Sequence, residues 1–254
     1  MRSLVGIWAL SAATLSACGS EADGKGTTSS ASATVQRSAA PAAPTSAKKP
    51  DEMPPVTVDE LGPFINGQRA VMKEAGGPDK LKKIVGELPI QGKQVELAVI
   101  KKAKLVDVTA VIRELGAAGA PSVKVKAESR GDLPKEIIVV PESKLAGDPA
   151  SCSVVVFITD KFETDVWSIG GGTAKKHVKG FAGPDLSNAG ESIKKDLAKC
   201  DSKVAFFTAA EQLEWEIAHL AAGAIRVSDD TKKVESLVLL NEAPVPGRPV
   251  KLKK

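Results

Sequence analysis

Residues 204–240, VAFFTAAEQLEWEIAHLAAGAIRVSDDTKKVESLVLL, decide the fold class of this chain. Val204–Phe207 is a short apolar and aromatic run, which is typical of a buried strand. Apolar side chains then recur at helical spacing, and the alanine-rich stretch 221–224 contains a glycine that is typical of a helix end. The stretch Val234–Leu240, which is apolar except at Glu235 and Ser236, predicts another strand. Strand, helix and strand in succession predict an α/β (α+β) protein.

The same order of elements occurs earlier in the chain, with matching short sequences. Gly-Pro-Asp and Ala-Ala-Gly-Ala stand at 77–79 and 117–120, and again at 183–185 and 221–224. Matching sequences in the same order at similar distances indicate a tandem duplication. We therefore predict two repeats, 54–148 and 149–243, each a small mixed sheet with two helices on one face.

The N-terminus has the layout of a secretory signal peptide, a basic start at Arg2 followed by the apolar run Leu4–Leu15. Residues 15–18, Leu-Ser-Ala-Cys, resemble the bacterial lipobox, in which the cysteine is acylated and becomes the new N-terminus. The resemblance implies a lipoprotein signal segment at 1–18 and a lipid anchor on Cys18, with palmitate among its acyl chains. An ordinary signal peptide with an incidental cysteine is the alternative. A transmembrane anchor is disfavoured, because a membrane span needs about 20 apolar residues.

This N-terminus places the mature protein outside the cytoplasm, attached to a membrane through Cys18. Gly19 in place of an aspartate implies the periplasmic side of the outer membrane if the host has two membranes. Residues 19–53 are rich in Ser, Ala, Thr, Gly and Pro, a composition that cannot bury enough apolar surface to fold. We predict a disordered tether with a root-mean-square reach of ~30 Å, which holds the folded part away from the bilayer.

With Cys18 assigned to lipid, an even pair of cysteines remains, Cys152 and Cys200. Exported proteins occupy oxidising compartments in which such pairs form disulfides, so we predict this bridge. Metal binding is the weaker alternative, because the chain contains neither Cys-x-x-Cys nor His-x-x-x-His spacing. No metal and no other cofactor is predicted.

The charge of the chain is nearly balanced at +4, and together with export this argues against nucleic acid as a partner. The C-terminal tail, residues 244–254, is basic. We expect it to be a frayed, solvated end. Contact with an anionic partner in the envelope is the alternative.

A set of catalytic residues is not recognisable in the sequence. The chain has only two histidines, His177 and His219, and neither stands beside a nucleophile in a known motif. Gly170–Gly172, which precede Lys175, lack the spacing of a phosphate-binding loop and indicate a hairpin turn. We therefore predict a protein that binds, and not an enzyme.

A helix is predicted over 211–222, with a core stripe formed by Leu213, Ile217 and Leu220. Trp215 and His219 lie nearly opposite that stripe and one helical turn apart. Because exposed aromatic residues are enriched at interfaces, these two residues are the candidate partner-binding site. The alternative is that the first repeat covers this face.

Residues 104–119, KLVDVTAVIRELGAAG, resemble the second helix of the periplasmic domain of ExbD/TolR-type proteins, and the element order over 54–242 resembles two such domains. The resemblance implies small domains that dimerise and contact peptidoglycan or envelope proteins. Two copies in one chain would then pack as an intramolecular pseudo-dimer. Motor activity is not implied, because this chain has a lipobox where that family has a transmembrane helix.

These patterns together predict a lipid-anchored, non-catalytic envelope scaffold or accessory subunit of a transport or Tol-like complex, with peptidoglycan as one candidate partner. Two alternatives from other classes stay open, a solute-binding lipoprotein and a peptidoglycan-acting envelope enzyme. Tyrosine is absent and aromatic residues make up 4% of the chain, which argues against an aromatic-lined sugar cleft.

Overall fold

The computed structural model describes residues 53–128, 133–181 and 183–253. In its first half the elements are β1 (Val56–Asp59), β2 (Gly62–Ile65), β3 (Gln68–Arg69), α1 (Gly77–Gly86), β4 (Val95–Val99), α2 (Leu105–Ala117), β5 (Val123–Ala127) and β6 (Glu136–Val139). A short 3₁₀ helix, Glu142–Lys144, leads to β7 (Val154–Ile158), β8 (Thr164–Ser168), β9 (Lys175–His177), α3 (Leu186–Ala198), β10 (Val204–Ala209), α4 (Trp215–Ser228) and β11 (Ser236–Leu239). This mixed architecture confirms the predicted α/β fold class.

The predicted N-terminal features lie outside the described residues. This applies to Cys18, to the signal segment 1–18, and to all of the tether except Met53. Among the described residues, no helix is both long and apolar enough to cross a bilayer.

All eleven strands belong to one mixed sheet, in the order β3-β2-β1-β4-β5-β6-β11-β10-β7-β8-β9. Each half contributes three parallel strands and an antiparallel hairpin pair at its outer edge, and the first half adds β6, which is antiparallel to β5. The halves meet where β6 pairs in parallel with β11, and the Val140 amide donates to the Leu237 carbonyl at 2.8 Å. The two small sheets that we predicted are therefore parts of one continuous sheet. The duplication itself stays a prediction.

The helices share one face of the sheet and one apolar core. Alternate residues of β4, namely Val95, Leu97 and Val99, are buried on this face, whereas Glu96 and Ala98 point to the other side. The same core contains buried residues from all four helices. A single core that runs through both halves makes residues 53–253 one packing unit.

Local sequence explains how the helices begin. Pro78 occupies the first turn of α1, where its missing N–H costs no helical hydrogen bond. Asp185 caps α3 by accepting hydrogen bonds from the amides of Ser187 and Asn188 at 3.2 and 3.3 Å. Gly119 lies just beyond α2 in the left-handed region, with a φ of 103°, as expected for a helix end.

The helix end predicted at Gly223 is wrong. α4 continues to Ser228, and Gly223 lies in its interior. A Cβ atom placed on Gly223 would lie 2.9 Å from Cδ2 of Leu133. The absence of a side chain at Gly223 therefore allows α4 to pack closely against a segment of the first half.

The C-terminal tail is packed against the sheet, in contrast to the frayed end that we expected. Val250 and Leu252 cover a second apolar cluster on the sheet face opposite the helices. The Val250 amide donates to the Ile169 carbonyl at 2.9 Å, and Nε1 of Trp167 donates to the Arg248 carbonyl at 3.2 Å. The tail alternates apolar residues with lysines, so one side can be buried while the charges stay in water.

Candidate binding surface

Trp215 and His219 do not form an exposed face, so the structure contradicts this part of the prediction. Their side chains are 0% and 1% exposed. The helix begins at Trp215 and not at 211, and Leu213, Ile217 and Leu220 are only half-buried. Alanines complete the buried side of the helix, and their small side chains give a weaker hydrophobic pattern than leucine or isoleucine.

The first half covers the start of α4. The amide of Trp215 donates to the Ala103 carbonyl at 2.7 Å, and the amide of Leu105 donates to the Leu213 carbonyl at 3.1 Å. The Trp215 ring meets Phe207 of β10 edge-on, with 6.4 Å between ring centroids. A partner could reach Trp215 only by separating the two halves.

His219 lies in the same buried cluster. Its ring centroid is 6.0 Å from that of Trp215, and one ring nitrogen donates to the Pro134 carbonyl. Burial lowers the pKa of His219, which opposes the weaker raising effect of the Glu216 carboxylate. A neutral core histidine of this kind is poorly placed to act as a catalytic base.

Cys152 and Cys200 form the predicted disulfide, with their Cα atoms 5.7 Å apart. The bridge joins the residue two positions before β7 to the residue two positions after α3. Next to it, the hydroxyls of Ser153 and Ser202 are hydrogen bonded at 2.6 Å. This pair of contacts fixes the end of α3 to the sheet.

The sheet face opposite the helices differs between the halves. In the second half it is apolar, contains Phe157, Trp167 and Phe206, and is covered by the C-terminal tail. In the first half it carries charged residues and exposed apolar ones. We call this the open face: Phe64, Glu96, Ala98, Ile100, Lys124, Lys126, Glu136 and Ile138.

A groove of about 540 Å³ lies on the open face, at the carboxyl ends of the parallel strands β4 and β5. Small and apolar residues form its floor, among them Ala98, Ile100 and Ala127. Its charged lining residues are Lys101, Lys126, Glu128, Lys135 and Glu136. The carboxyl ends of parallel strands are a common place for ligands in α/β sheets.

The charges of the open face pair across the strands. Lys126 donates to Glu96 at 2.6 Å, and Lys124 lies 2.8 Å from Glu136. Lys126 lowers the pKa of Glu96, and Glu136 raises that of Lys124. Exposed pairs of this kind contribute little to stability, so a ligand can exchange partners with them at little cost.

The sequence contains a signal for this surface. Val123-Lys124-Val125-Lys126 alternates strictly, and in Val95-Glu96-Leu97-Ala98-Val99 the larger apolar residues are separated by a glutamate and a small alanine, a pattern typical of strands with one wet face. β7 reads Val-Val-Val-Phe-Ile, which is typical of a strand buried on both faces. The difference between the halves could therefore have been predicted.

Other groups with shifted pKa values lie apart from the groove. Burial raises the pKa of Asp107 on α2 and of Asp165 on β8. Neither carboxylate lines the groove on the open face. Within the described part of the chain, no cluster of three or more His, Cys, Asp or Glu residues is suited to hold a metal ion. The groove thus offers contacts for binding, and we identify no catalytic arrangement in it.

Comparisons with protein-family models, with curated proteins and with solved structures gave no match for this chain. The resemblance to ExbD/TolR-type periplasmic domains therefore stays a prediction.

Proposed function

We propose that this protein is a membrane-anchored extracytoplasmic binding protein, held by lipid on Cys18. It acts as a non-catalytic envelope scaffold or accessory subunit of a transport or Tol-like complex. The open face is its partner-binding surface, and peptidoglycan is the partner to test first.

The observation that carries this proposal is that the face of the sheet opposite the helices is covered in the second half and open in the first. The chain uses its own tail to cover the second half, yet Phe64, Ile100 and Ile138 stay 38–44% exposed on the first half. Apolar side chains set among paired charges are typical of the centre and rim of a protein-binding surface. The disulfide supports an oxidising location outside the cytoplasm.

The charge pattern favours a partner that carries both signs. The groove is lined by three lysines and two glutamates, namely Lys101, Lys126, Lys135, Glu128 and Glu136. A peptide with carboxylate and amine groups, such as a peptidoglycan stem peptide, matches this pattern better than a purely anionic polymer does. Its backbone and methyl groups would lie on the apolar floor.

Co-sedimentation with purified peptidoglycan tests the proposal. The compact unit Lys48–Lys254 is compared with a variant that carries Lys101→Glu and Lys126→Glu. Each change removes one exposed ion pair, so stability should be nearly unaffected. We expect saturable pelleting of the parent protein and at least about a tenfold loss of affinity in the variant.

The matched control carries Lys194→Glu and Lys203→Glu, which remove two exposed ion pairs of the second half. It should pellet like the parent. Equal loss in both variants would indicate nonspecific charge attraction and would count against the open face. If the parent does not pellet, peptidoglycan is eliminated, and photo-crosslinking in cells from position 135 then tests for a protein partner.

A further inference from the structure

A fully exposed phenylalanine projects from the loop between β9 and α3. Phe181 has no shielding from the rest of the chain, and Val178 nearby is 69% exposed. The amide of Gly180 donates to the Gly183 carbonyl at 2.7 Å, which closes a tight turn around Phe181. The turn therefore presents the ring to the outside.

An apolar cleft lies next to this ring. It has a volume of about 310 Å³, and its apolar lining includes Phe162, Pro184, Ile217 and Leu220. Phe181 borders the cleft, but its ring stays in solvent. Burying a phenylalanine side chain contributes about 1.5–3 kcal/mol. The ring would gain this stabilisation if it entered an apolar cleft of another molecule, and the cleft beside it could receive such a ring.

We propose that this surface is a self-association site, in which Phe181 of each copy enters the cleft of a second copy. A twofold interface uses the same patch on both subunits, so the patch must contain both the projecting group and its receptor. The Phe181 turn and its cleft meet this condition within a few residues of each other.

The charges of the patch are also self-complementary. Lys179 and Glu216 both border the cleft. A twofold arrangement would bring the lysine of one copy towards the side of the cleft that carries the glutamate of the other. Lys176 and Glu163, 2.7 Å apart, add a further balanced pair close to the turn. This mixture of signs favours another protein surface of the same kind over an anionic lipid surface.

The cleft and the groove on the open face have no lining residue in common, although the amide of Glu216 in the cleft donates to the carbonyl of Lys101 in the groove at 3.1 Å. The Phe181 turn follows β9, which is the outermost strand of the second half, whereas the groove lies on β4 and β5 of the first half. Confinement of lipid-anchored copies to one membrane would raise their effective concentration and assist a contact that is weak in solution. Failure of this inference would therefore leave the proposed partner-binding face untouched.

Photo-crosslinking of the full chain in its native membrane tests the inference. A photoreactive phenylalanine analogue replaces Phe181, and in the control it replaces Phe64, which is 40% exposed on the open face. We expect a dimer-sized product from position 181 only, with the crosslink mapped to the α4 residues Ile217–Leu220. A crosslink within one chain, to lipid, or to a different protein would overturn the proposal.

Crosslinking to a second, differently tagged copy of the protein shows whether the cleft receives the Phe181 side chain. Leu220→Glu in that copy places a charge in the apolar cleft and should reduce its crosslinking to position 181 at least about tenfold. Thermal unfolding of the variant checks that the fold is intact. Lys232→Glu is the control change elsewhere in the second half, and its crosslinking should match that of the parent. Unchanged crosslinking in the Leu220→Glu copy would exclude the cleft.

Discussion

Among single residues, the buried His219 makes the stability of the fold depend on pH. Its pKa is lowered in the folded state, because burial disfavours the charged imidazole. The unfolded chain therefore binds the proton at a higher pH than the folded chain. Stability from this group is present above the ordinary histidine value of 6.5 and is lost as the pH falls below it.

We expect urea unfolding to show a lower stability at pH 5.5 than at pH 7.5, with His219 contributing at most about 1.4 kcal/mol per pH unit. The change His219→Phe should flatten this dependence. The raised pKa values of Asp107 and Asp165 act in the opposite direction, because a buried carboxyl that resists ionisation lowers the stability of the folded protein as the pH rises. The difference between parent and variant isolates the histidine. An unchanged slope in the variant would contradict the assignment, and His177→Phe serves as the control.

The burial of Trp215 and His219 could not be predicted from a helical wheel alone. Leu213 and Glu214, which the wheel treats as helical, pair with Leu105 and Lys104 of the first half before the helix begins. Ala218, Ala221 and Ala222 make up the rest of the buried side. Small residues give a weak hydrophobic signal, yet they allow the closest helix packing, so tertiary contacts decided the orientation.

At the scale of elements, Glu142 holds the tail. This buried carboxylate accepts the amides of Asn241 at 2.6 Å and Lys253 at 2.9 Å, which follow β11 and end the described chain. The change Glu142→Ala should lower the free energy of unfolding by about 2–4 kcal/mol, because two amides lose a charged acceptor. Trypsin should then release the tail faster. The control Glu242→Ala affects only an exposed pair with Lys253 and should change stability by less than about 1 kcal/mol.

The disulfide fixes α3 to the start of β7 across 48 residues. In the chain-entropy picture a loop of this length stabilises the fold by about 4 kcal/mol. Reduction, or the double change Cys152→Ser and Cys200→Ser, should lower the free energy of unfolding by roughly that amount. Titration of the native, non-reduced protein should find no free thiol at either position. Two reactive thiols there would contradict the bridge.

Element types were largely predictable, because strands and helices differ in the spacing of their apolar residues. The bridge was predictable from the cysteine count together with the predicted export signal. The packing of the tail was not predictable, because Val250 and Leu252 are two isolated apolar residues among lysines. Their role depends on Trp167 and Phe206, which are distant in sequence, and on the carboxylate of Glu142.

At the scale of the whole molecule, one core spans both halves. The change Leu97→Ala in the first half removes a fully buried side chain and should lower stability by about 2–5 kcal/mol. The tryptophans of the described residues, Trp167 and Trp215, both lie in the second half. We therefore expect their fluorescence to report the same lowered midpoint as circular dichroism. A fluorescence midpoint that stays at the parent value would show that the halves unfold independently.

The docked tail also determines when the fold can be completed. Val250 and Leu252 come later in the sequence than every described strand and helix, and they cover the aromatic side of the second half. Until the tail packs against the sheet, Phe157 and Trp167 remain uncovered on a sheet that is otherwise complete. A chain cut before Val250 would keep this apolar face uncovered permanently, so chaperones and proteases could distinguish it from the intact protein.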